Sequence, residues 1–440
     1  MANRLLLGEY YGRKRLRFSK PGFDVLDPAL TDDQLVFDSA WSEILKPHQI
    51  SWDSGGLSSF QQTYVNTGTN LFRNCCRINF PALPFVPLAI AWVVDYSIDG
   101  YAKRYTPVAA CPTNSYIDVT NAGWWGTAGT APLKSFAYII FDKPVDQYDS
   151  READNGGTNS FLLGNHPTRG PGLYVSRNGA DVLTCGDDDL TLSTNKPSMQ
   201  VIEAGSFYGT AVYDSISKQY IMSGTFNTAE NHPDHPPILF RPTADAFGLP
   251  RNMQLSTTNF GWVNDNTIKY QFFGGAFSQD MHYSILGYDP GYPGGSSATS
   301  TPRVLLDTAR GLRISKKDVD VSFATDDQLL MRTDGGCLHI KTRKYFAGAY
   351  VGYSGNASTD TNIAAPPILI VACYNPEISQ WFVYPTGADL NALRTDFRPV
   401  IGSASPTLGA IRPLTSNQLY YQFANYSQAR AFNVAIIEHS

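Results

Sequence analysis

Leu16-Arg-Phe-Ser19-Lys20-x3-Asp24-Val25 is the stretch that decides the fold, because the chain contains it three times with the same spacing. It returns as Leu173-Tyr-Val-Ser176-Arg177-x3-Asp181-Val182 and as Leu312-Arg-Ile-Ser315-Lys316-x3-Asp320-Val321. An Asp-Asp-x-Leu segment follows each time, beginning at Asp32, Asp187 and Asp326. An ordered series of matches at fixed spacing predicts tandem copies of one structural unit.

Further landmarks extend the repeat towards the C-terminus. Pro236-Pro-Ile-Leu239 recurs as Pro366-Pro-Ile-Leu369, and Tyr270-Gln-Phe272 recurs as Tyr421-Gln-Phe423. The polar, turn-rich stretches 149–172 and 290–302 are typical of linkers. We therefore predict three copies: residues 1–150, which carry an insertion, residues 165–290 and residues 304–440.

The repeated segment alternates in the manner of a half-buried strand. Leu16 and Phe18 share one face, Arg17 takes the other, and Asp24-Val25 is expected to open the second strand of a hairpin. Short apolar runs follow at 88–94, 220–226 and 368–373, and each copy ends in another at 136–141, 282–286 or 432–437. Many short strands separated by turns predict an all-β chain of three tandem β-sandwich or jelly-roll-like domains, with at most a helical patch at 388–395.

Composition narrows the function classes. The 440 residues are 42% hydrophobic and 17% charged, and the net charge of −5 gives no general attraction to nucleic acid. We interpret the basic cluster of Arg13, Lys14, Arg15, Arg17 and Lys20 as the solvated start of a strand rather than as a phosphate-binding arm, because no aromatic stacking platform accompanies it. No signal peptide and no apolar run of about 20 residues is found, so we expect synthesis in the cytoplasm and no membrane insertion.

No constellation of residues predicts a catalytic, cofactor or metal site. We interpret the Asp-Asp pairs as turns rather than calcium ligands, and His232-Pro-Asp-His235 as a surface loop rather than a zinc site. The six cysteines occupy different places in the three copies and are expected to be buried free thiols. We predict that the chain is not an enzyme, although a hydrolase stays an alternative because glycosidase carboxylate pairs leave no sequence signature.

Trp124 and Trp125, flanked by glycines, form the candidate contact site. Adjacent exposed tryptophans are suited to stacking on a sugar or anchoring a protein partner. The alternative is a loop plug that packs on its own domain. Copies two and three lack the pair, so either role would belong to copy one.

The opening residues 16–39, including Leu35-Val-Phe-Asp38-Ser39, resemble the start of small virion proteins of tailed bacteriophages, which often carry V-S-K-P-G-Y-D-V and L-x-F-D-S. The resemblance is weaker at 173–190 and 312–329. It implies a structural virion protein associated with the tail, at its tip, collar or fibre attachment, and able to contact the host surface. A capsid decoration protein and a carbohydrate-binding adhesin are the alternatives.

The same resemblance implies the partners and the location. The expected partners are other virion proteins, copies of this chain in a homo-oligomer or symmetric assembly, and a host-surface polysaccharide. The expected location is the virion. Three copies in one chain further suggest a substitute for a trimer of single-domain subunits, or an adaptor between rings of different symmetry.

Overall fold

The structure is a computed structural model. It describes residues 5–20, 22–30, 34–39, 44–58, 60–66, 69–125, 133–146, 160–177, 179–186, 189–193, 199–215, 219–242, 258–273, 279–287, 304–307, 311–315, 320–324, 329–332, 336–346, 354–358, 368–375, 380–385, 407–415, 418–424 and 431–439. In these ranges the regular elements are β-strands and no α-helix occurs, which confirms the predicted all-β class.

The strands follow one another along the three copies. Copy one contains β1 Leu5–Tyr10, β2 Arg13–Ser19, β3 Leu35–Asp38, β4 Pro47–Ser51, β5 Phe60–Asn66, β6 Thr69–Asn79, β7 Pro87–Ile98, β8 Tyr101–Val108, β9 Ala110–Pro112, β10 Tyr116–Trp125 and β11 Ser135–Pro144. Copy two contains β12 Phe161–His166, β13 Gly170–Ser176, β14 Leu190–Ser193, β15 Gln200–Gly209, β16 Ala211–Asp214, β17 Gln219–Asn227, β18 Ile238–Pro242, β19 Thr258–Asn264, β20 Thr267–Phe273 and β21 Gln279–Gly287. Copy three contains β22 Val304–Asp307, β23 Gly311–Ser315, β24 Leu329–Arg332, β25 Gly336–Phe346, β26 Ser354–Ser358, β27 Ile368–Asn375, β28 Gln380–Pro385, β29 Thr407–Thr415, β30 Gln418–Ala424 and β31 Ala431–His439.

Each copy opens with a three-stranded antiparallel sheet, ordered β1-β2-β3, β12-β13-β14 or β22-β23-β24. The middle strand is the repeated motif. Its first partner is a strand that the sequence comparison missed: Leu7, Leu163 and Leu306 pair with Leu16, Leu173 and Leu312. One of these strands, β12, lies inside the stretch 149–172 that the composition had assigned to a linker.

The Asp-Val part of the motif forms a turn and not the start of a strand, so the predicted hairpin at Asp24 is wrong. The carboxylates of Asp24, Asp181 and Asp320 each accept a hydrogen bond of 2.9 to 3.0 Å from the backbone N–H two residues on. This is an Asx turn, in which the side chain substitutes for a backbone acceptor. The following valine is buried in every copy, at Val25, Val182 and Val321, and the next strand starts only after the Asp-Asp segment.

After the opening sheet, the three copies repeat one strand order. One group of strands is ordered β4-β11-β7, β15-β21-β18 and β25-β31-β27, and a second is ordered β6-β10-β9, β17-β20-β19 and β26-β30-β29. Every pair is antiparallel. The apolar runs that predicted β7, β17 and β27, and the closing strands β11, β21 and β31, are confirmed as strands.

Each of the two largest sheets contains strands from more than one copy. An eight-stranded sheet, β16-β17-β20-β19-β8-β7-β11-β4, joins copies one and two. An eleven-stranded sheet, β18-β21-β15-β25-β31-β27-β28-β9-β10-β6-β5, joins all three. The copies are therefore not separate units on a string, because backbone pairing is continuous across them.

Strand β7 explains how the core is arranged. Leu88, Ile90, Trp92 and Val94 point into a cluster that contains residues of all three copies. Ala89, Ala91 and Val93, on the other face, point into a second cluster formed within copy one. Burial on both faces accounts for the unbroken apolar run of this strand.

The structure also bears on the predictions for the basic cluster and for the cysteines. Arg17 is not solvated: it is buried, it forms a 2.8 Å ion pair with Asp38 and it lies over the ring of Tyr10. Cys75, Cys76 and Cys111 are buried cysteines, as predicted, and Cys185 is a half-buried one. The side chains of Cys337 and Cys373, and the stretch 388–395, lie outside the described residues.

The shared sheets predict that a cut between copies will not separate them. A protease site inserted within residues 291–301 should be cleaved while both fragments still elute together in native size-exclusion chromatography. A denaturing gel of the same fraction is the control that cleavage is complete. Two native peaks with the sizes of the fragments would contradict the continuous pairing.

Candidate functional site

The three copies meet in a closed ring of backbone hydrogen bonds. Leu45 donates its N–H to the carbonyl of Leu338 at 2.9 Å, Leu338 donates to Met199 at 3.0 Å, and Met199 donates to Leu45 at 2.9 Å. These residues stand ten, nine and nine positions after the first residues of β3, β14 and β24. Equivalent positions in the three copies thus form a junction with pseudo-three-fold symmetry, which we call the ring.

The ring lies in the apolar interior. Leu45 and Met199 are 0% exposed and Leu338 is 2% exposed, and all belong to the cluster shared by the three copies. A buried backbone N–H or C=O without a partner is costly. Since each of the three residues both donates and accepts, a copy can leave the ring only by exposing polar groups of the other two.

Buried charges join the copies next to the ring. The Asp142 carboxylate of copy one forms ion pairs with Lys46 at 3.6 Å and with Arg177 of copy two at 3.4 Å. All three side chains are nearly inaccessible to solvent. Lys46 also donates to the carbonyl of Leu190 in copy two. Arg343 of copy three reaches the carbonyl of Val145 at 3.4 Å. Buried charges persist only when paired and hydrogen-bonded, so these contacts fix how the copies are placed.

A seam between copies one and two forms where β8 pairs with β19. Gly261 of β19 lies opposite Arg104 of β8. A Cβ atom at Gly261 would lie 2.1 Å from the carbonyl oxygen of Lys103 and 2.7 Å from the Cα of Arg104. The close approach of these two backbones therefore requires glycine.

Aromatic rings and histidine line the buried side of this seam. The Tyr105 hydroxyl of copy one donates to the carbonyl of His235 in copy two. The His235 imidazole stacks on Trp262 with 5.6 Å between ring centroids and 16° between planes. Trp262, itself fully buried, donates its indole N–H to the carbonyl of Pro236 at 2.8 Å.

Burial changes the protonation of two bases at the seam. It lowers the pKa of Lys103 to about 8, against the raising influence of Asp53 and Asp234. It also lowers the pKa of His235, although the hydrogen bond with Asp265 at 3.0 Å works in the opposite direction. Both shifts favour the neutral base.

The predicted surface loop at His232-Pro-Asp-His235 is more buried than expected, since His232 is only 4% exposed. The ring of His232 lies 3.1 Å from Glu203, whose carboxylate also accepts hydrogen bonds from Tyr283 and from the N–H of Ala229. Burial opposes ionisation of Glu203, but these hydrogen bonds prevail and lower its pKa. Within the described ranges, no three His, Cys, Asp or Glu side chains are grouped as metal ligands would be.

The structure places Trp124 and Trp125 at the end of β10, where the pairing of β10 with β6 shifts register between Thr120 and Trp125. Their side chains lie outside what the structure describes, as do the Asp-Asp pairs beginning at Asp32, Asp187 and Asp326. The sugar-stacking and partner-anchoring roles of the two tryptophans stay predictions.

A second surface was missed by the sequence analysis. Tyr208, Val212 and Tyr213 of copy two are 63%, 64% and 51% exposed, and Tyr220 is 38% exposed. Tyr213 and Tyr220 face each other across β16 and β17 with 5.2 Å between ring centroids. We call these four residues the aromatic edge. Exposed large apolar side chains mark a candidate interaction surface, and Tyr213 and Tyr220 are the two that are in contact.

No protein-family model matches the chain, and no curated protein or solved structure matches it either. In the part of the chain that the structure describes, no helix has the length and hydropathy needed to cross a membrane.

Gly261→Ala should destabilise the protein, because the added methyl group would overlap the backbone of β8. We expect a loss of about 1–3 kcal/mol in the free energy of unfolding, measured by chemical denaturation. Gly8→Ala is the matched control, since a Cβ atom there meets only Leu6, at 3.9 Å. Equal effects of the two substitutions would contradict the close approach at the seam.

The lowered pKa of His235 predicts acid-sensitive stability. Below the unfolded-state pKa of about 6.5 the unfolded chain binds a proton that the folded chain resists, so stability falls as the pH drops. His235→Gln keeps a hydrogen-bonding side chain but removes this titration. The decrease in melting temperature from pH 7.5 to about 5.5 should therefore be smaller in the variant than in the wild type. An unchanged decrease would assign the pH dependence to other groups.

Proposed function

We propose that this chain is a structural component of a tailed-bacteriophage virion, associated with the tail at its tip, collar or fibre attachment. In this proposal its three copies replace a trimer of single-domain subunits. The observation that carries the proposal is the ring, in which equivalent backbone positions of the three copies bond to one another in a closed cycle. The resemblance of residues 16–39 to virion proteins supports the same conclusion.

We propose that each copy is one β-sandwich with a jelly-roll-like arrangement of strands, over the predicted segments 1–150, 165–290 and 304–440. The strand order that recurs in the three copies supports this division. The pairing of β12 with β13 supports moving the start of copy two back to Phe161. Sheets that run from copy to copy then act as the interfaces between the sandwiches.

A structural role fits the way in which polar groups are used. The buried carboxylate of Asp142 and the half-buried carboxylate of Glu203 hold other parts of the fold through ion pairs and hydrogen bonds. A rigid object with pseudo-three-fold symmetry fits coaxially against a partner whose symmetry is a multiple of three. The proposed partners are therefore other virion proteins arranged around the same axis.

The proposal predicts that the chain remains with the particle during purification. Particles from the phage whose genome encodes this chain should contain it by mass spectrometry, at a constant ratio to the major capsid protein. When heads and tails are separated, the chain should follow the tails. Recovery with the heads would favour capsid decoration, and absence from purified particles would contradict a virion role altogether.

A further inference from the structure

The repeated Asp-Val turn displays an exposed apolar side chain in every copy. In copies one and two the residue after the buried valine is a leucine, and Leu26 and Leu183 are each 49% exposed. Copy three has a serine at that position and Phe323 one residue further, which is 85% exposed. We call Leu26, Leu183 and Phe323 the turn tips. The same part of the fold thus presents an apolar side chain to solvent three times.

The turns that carry the tips are held in place by hydrogen bonds. Besides its Asx contact, each turn is closed by a backbone hydrogen bond of 3.0 to 3.1 Å from the N–H three residues after the Asp to the carbonyl of that Asp. In copy one the carbonyl of Val25 also accepts a hydrogen bond from buried Arg17 at 3.1 Å. In copy two the ring of His166 lies 3.0 Å from the carbonyl of Val182. A segment that is ordered before association loses little conformational entropy when it binds.

The opening sheets, which carry the turns, are placed around the ring in a repeating manner. Strand β3 of copy one contacts β25 of copy three, which contains ring residue Leu338. Copy two contacts copy one in the equivalent way, because Lys46, which follows the ring residue of copy one, donates to the carbonyl of Leu190 at the start of β14. The motif strands of copies one and two also share an apolar cluster, which contains Leu16 and Leu173. This order places the turn tips around the pseudo-three-fold axis.

The segments that contain the tips are acidic in all three copies. Residues 24–33 and 181–190 each contain four Asp, and residues 320–329 contain three. None of these segments contains Lys, Arg or Glu. Surfaces that bind each other carry complementary charge, since like charges that meet across an interface cost affinity. The complement of each turn is therefore an apolar pocket with Lys or Arg at its rim.

We propose that the three turn tips are equivalent docking points for one homotrimeric virion protein, each subunit of which binds one tip in an apolar pocket rimmed by Lys or Arg. A partner without three-fold symmetry would need a tip in one copy only, as with Trp124 and Trp125, which occur in copy one alone. A three-fold partner uses all three tips at once, and linked contacts reinforce one another. This inference rests on the proposed virion role and adds to it the contact surface and the chemistry of the partner.

Photo-cross-linking in assembled particles tests the identity of the partner. The photoreactive residue p-benzoylphenylalanine is placed at position 26, 183 or 323, and the purified particles are irradiated. All three positions should cross-link to the same peptide of one virion protein. Position 133 is the control, because Leu133 is also an exposed apolar residue but lies outside the repeated turns, and it should not cross-link to that peptide. Cross-links to three different proteins, cross-links between two molecules of this chain, or no cross-link at all would overturn the proposal.

A charge variant tests how much the tips contribute to attachment. The triple substitution Leu26→Asp, Leu183→Asp and Phe323→Asp places a carboxylate at each apolar contact. Because the three contacts reinforce one another, their joint loss should lower the ratio of this chain to the major capsid protein in purified particles at least about tenfold. Mass spectrometry measures the ratio, and melting temperatures of the purified chains verify that the variants are folded. Leu133→Asp should leave the ratio unchanged.

The outcomes separate this proposal from the virion role. If wild-type particles contain the chain and the triple variant is retained at the same ratio, the docking proposal is wrong and the virion role stands. If wild-type particles lack the chain, the virion role is wrong and the docking proposal fails with it.

Discussion

The closed cycle of hydrogen bonds among Leu45, Met199 and Leu338 is the constraint on which the rest of the structure depends. If only two of the three hydrogen bonds formed, one N–H and one C=O would have no partner in an apolar interior. With all three formed, each of these backbone groups has a partner. The cycle fixes the number of copies at three. Leu45 and Met199 stand just before β4 and β15, and Leu338 lies within β25. The cycle therefore also fixes the positions of these three strands, from which each copy extends outward.

The contacts away from the ring are consequences of that placement. Copies held at one junction must also meet along their flanks, and there the edges of their sheets pair directly. Gly261 is the residue that permits the close approach of β19 to β8, and Asp142 neutralises cations contributed by two copies. Domains linked only by flexible segments seldom share backbone pairing or a common core. The three copies of this chain share both backbone pairing and a common core.

The strands could be predicted from the sequence where their signal is local. Alternation of apolar and polar residues predicted β2, because one face of that strand is buried. A continuous apolar run predicted β7, because both of its faces are buried. The strands β1, β12 and β22 escaped detection because Leu7, Leu163 and Leu306 precede the motif leucine by different distances, namely 9, 10 and 6 residues. The Asp-Val segment is a turn and not a strand because the Asp side chain accepts a hydrogen bond from the backbone two residues on, a contact that the alternation pattern does not reveal.

The sites were harder to predict than the strands. The ring consists of backbone groups, which carry no residue-specific signal, and the pairing of β8 with β19 depends on a register set between distant segments. Tyr213 and Tyr220 of the aromatic edge come from β16 and β17, so only the fold brings them together, whereas Trp124 and Trp125 are adjacent in the sequence. His232 was placed at the surface because proline neighbours indicate a loop, and nothing local indicates that Glu203 covers it.

Covalent continuity gives the ring a property that separate subunits would lack. Three tethered copies experience effective concentrations of about millimolar for one another, whatever the amount of protein in the cell. Ring closure is thus a first-order folding step that dilution cannot reverse. Tethering favours a ring formed within one chain over a ring mixed between chains, and such a ring has three non-identical sectors in a fixed order.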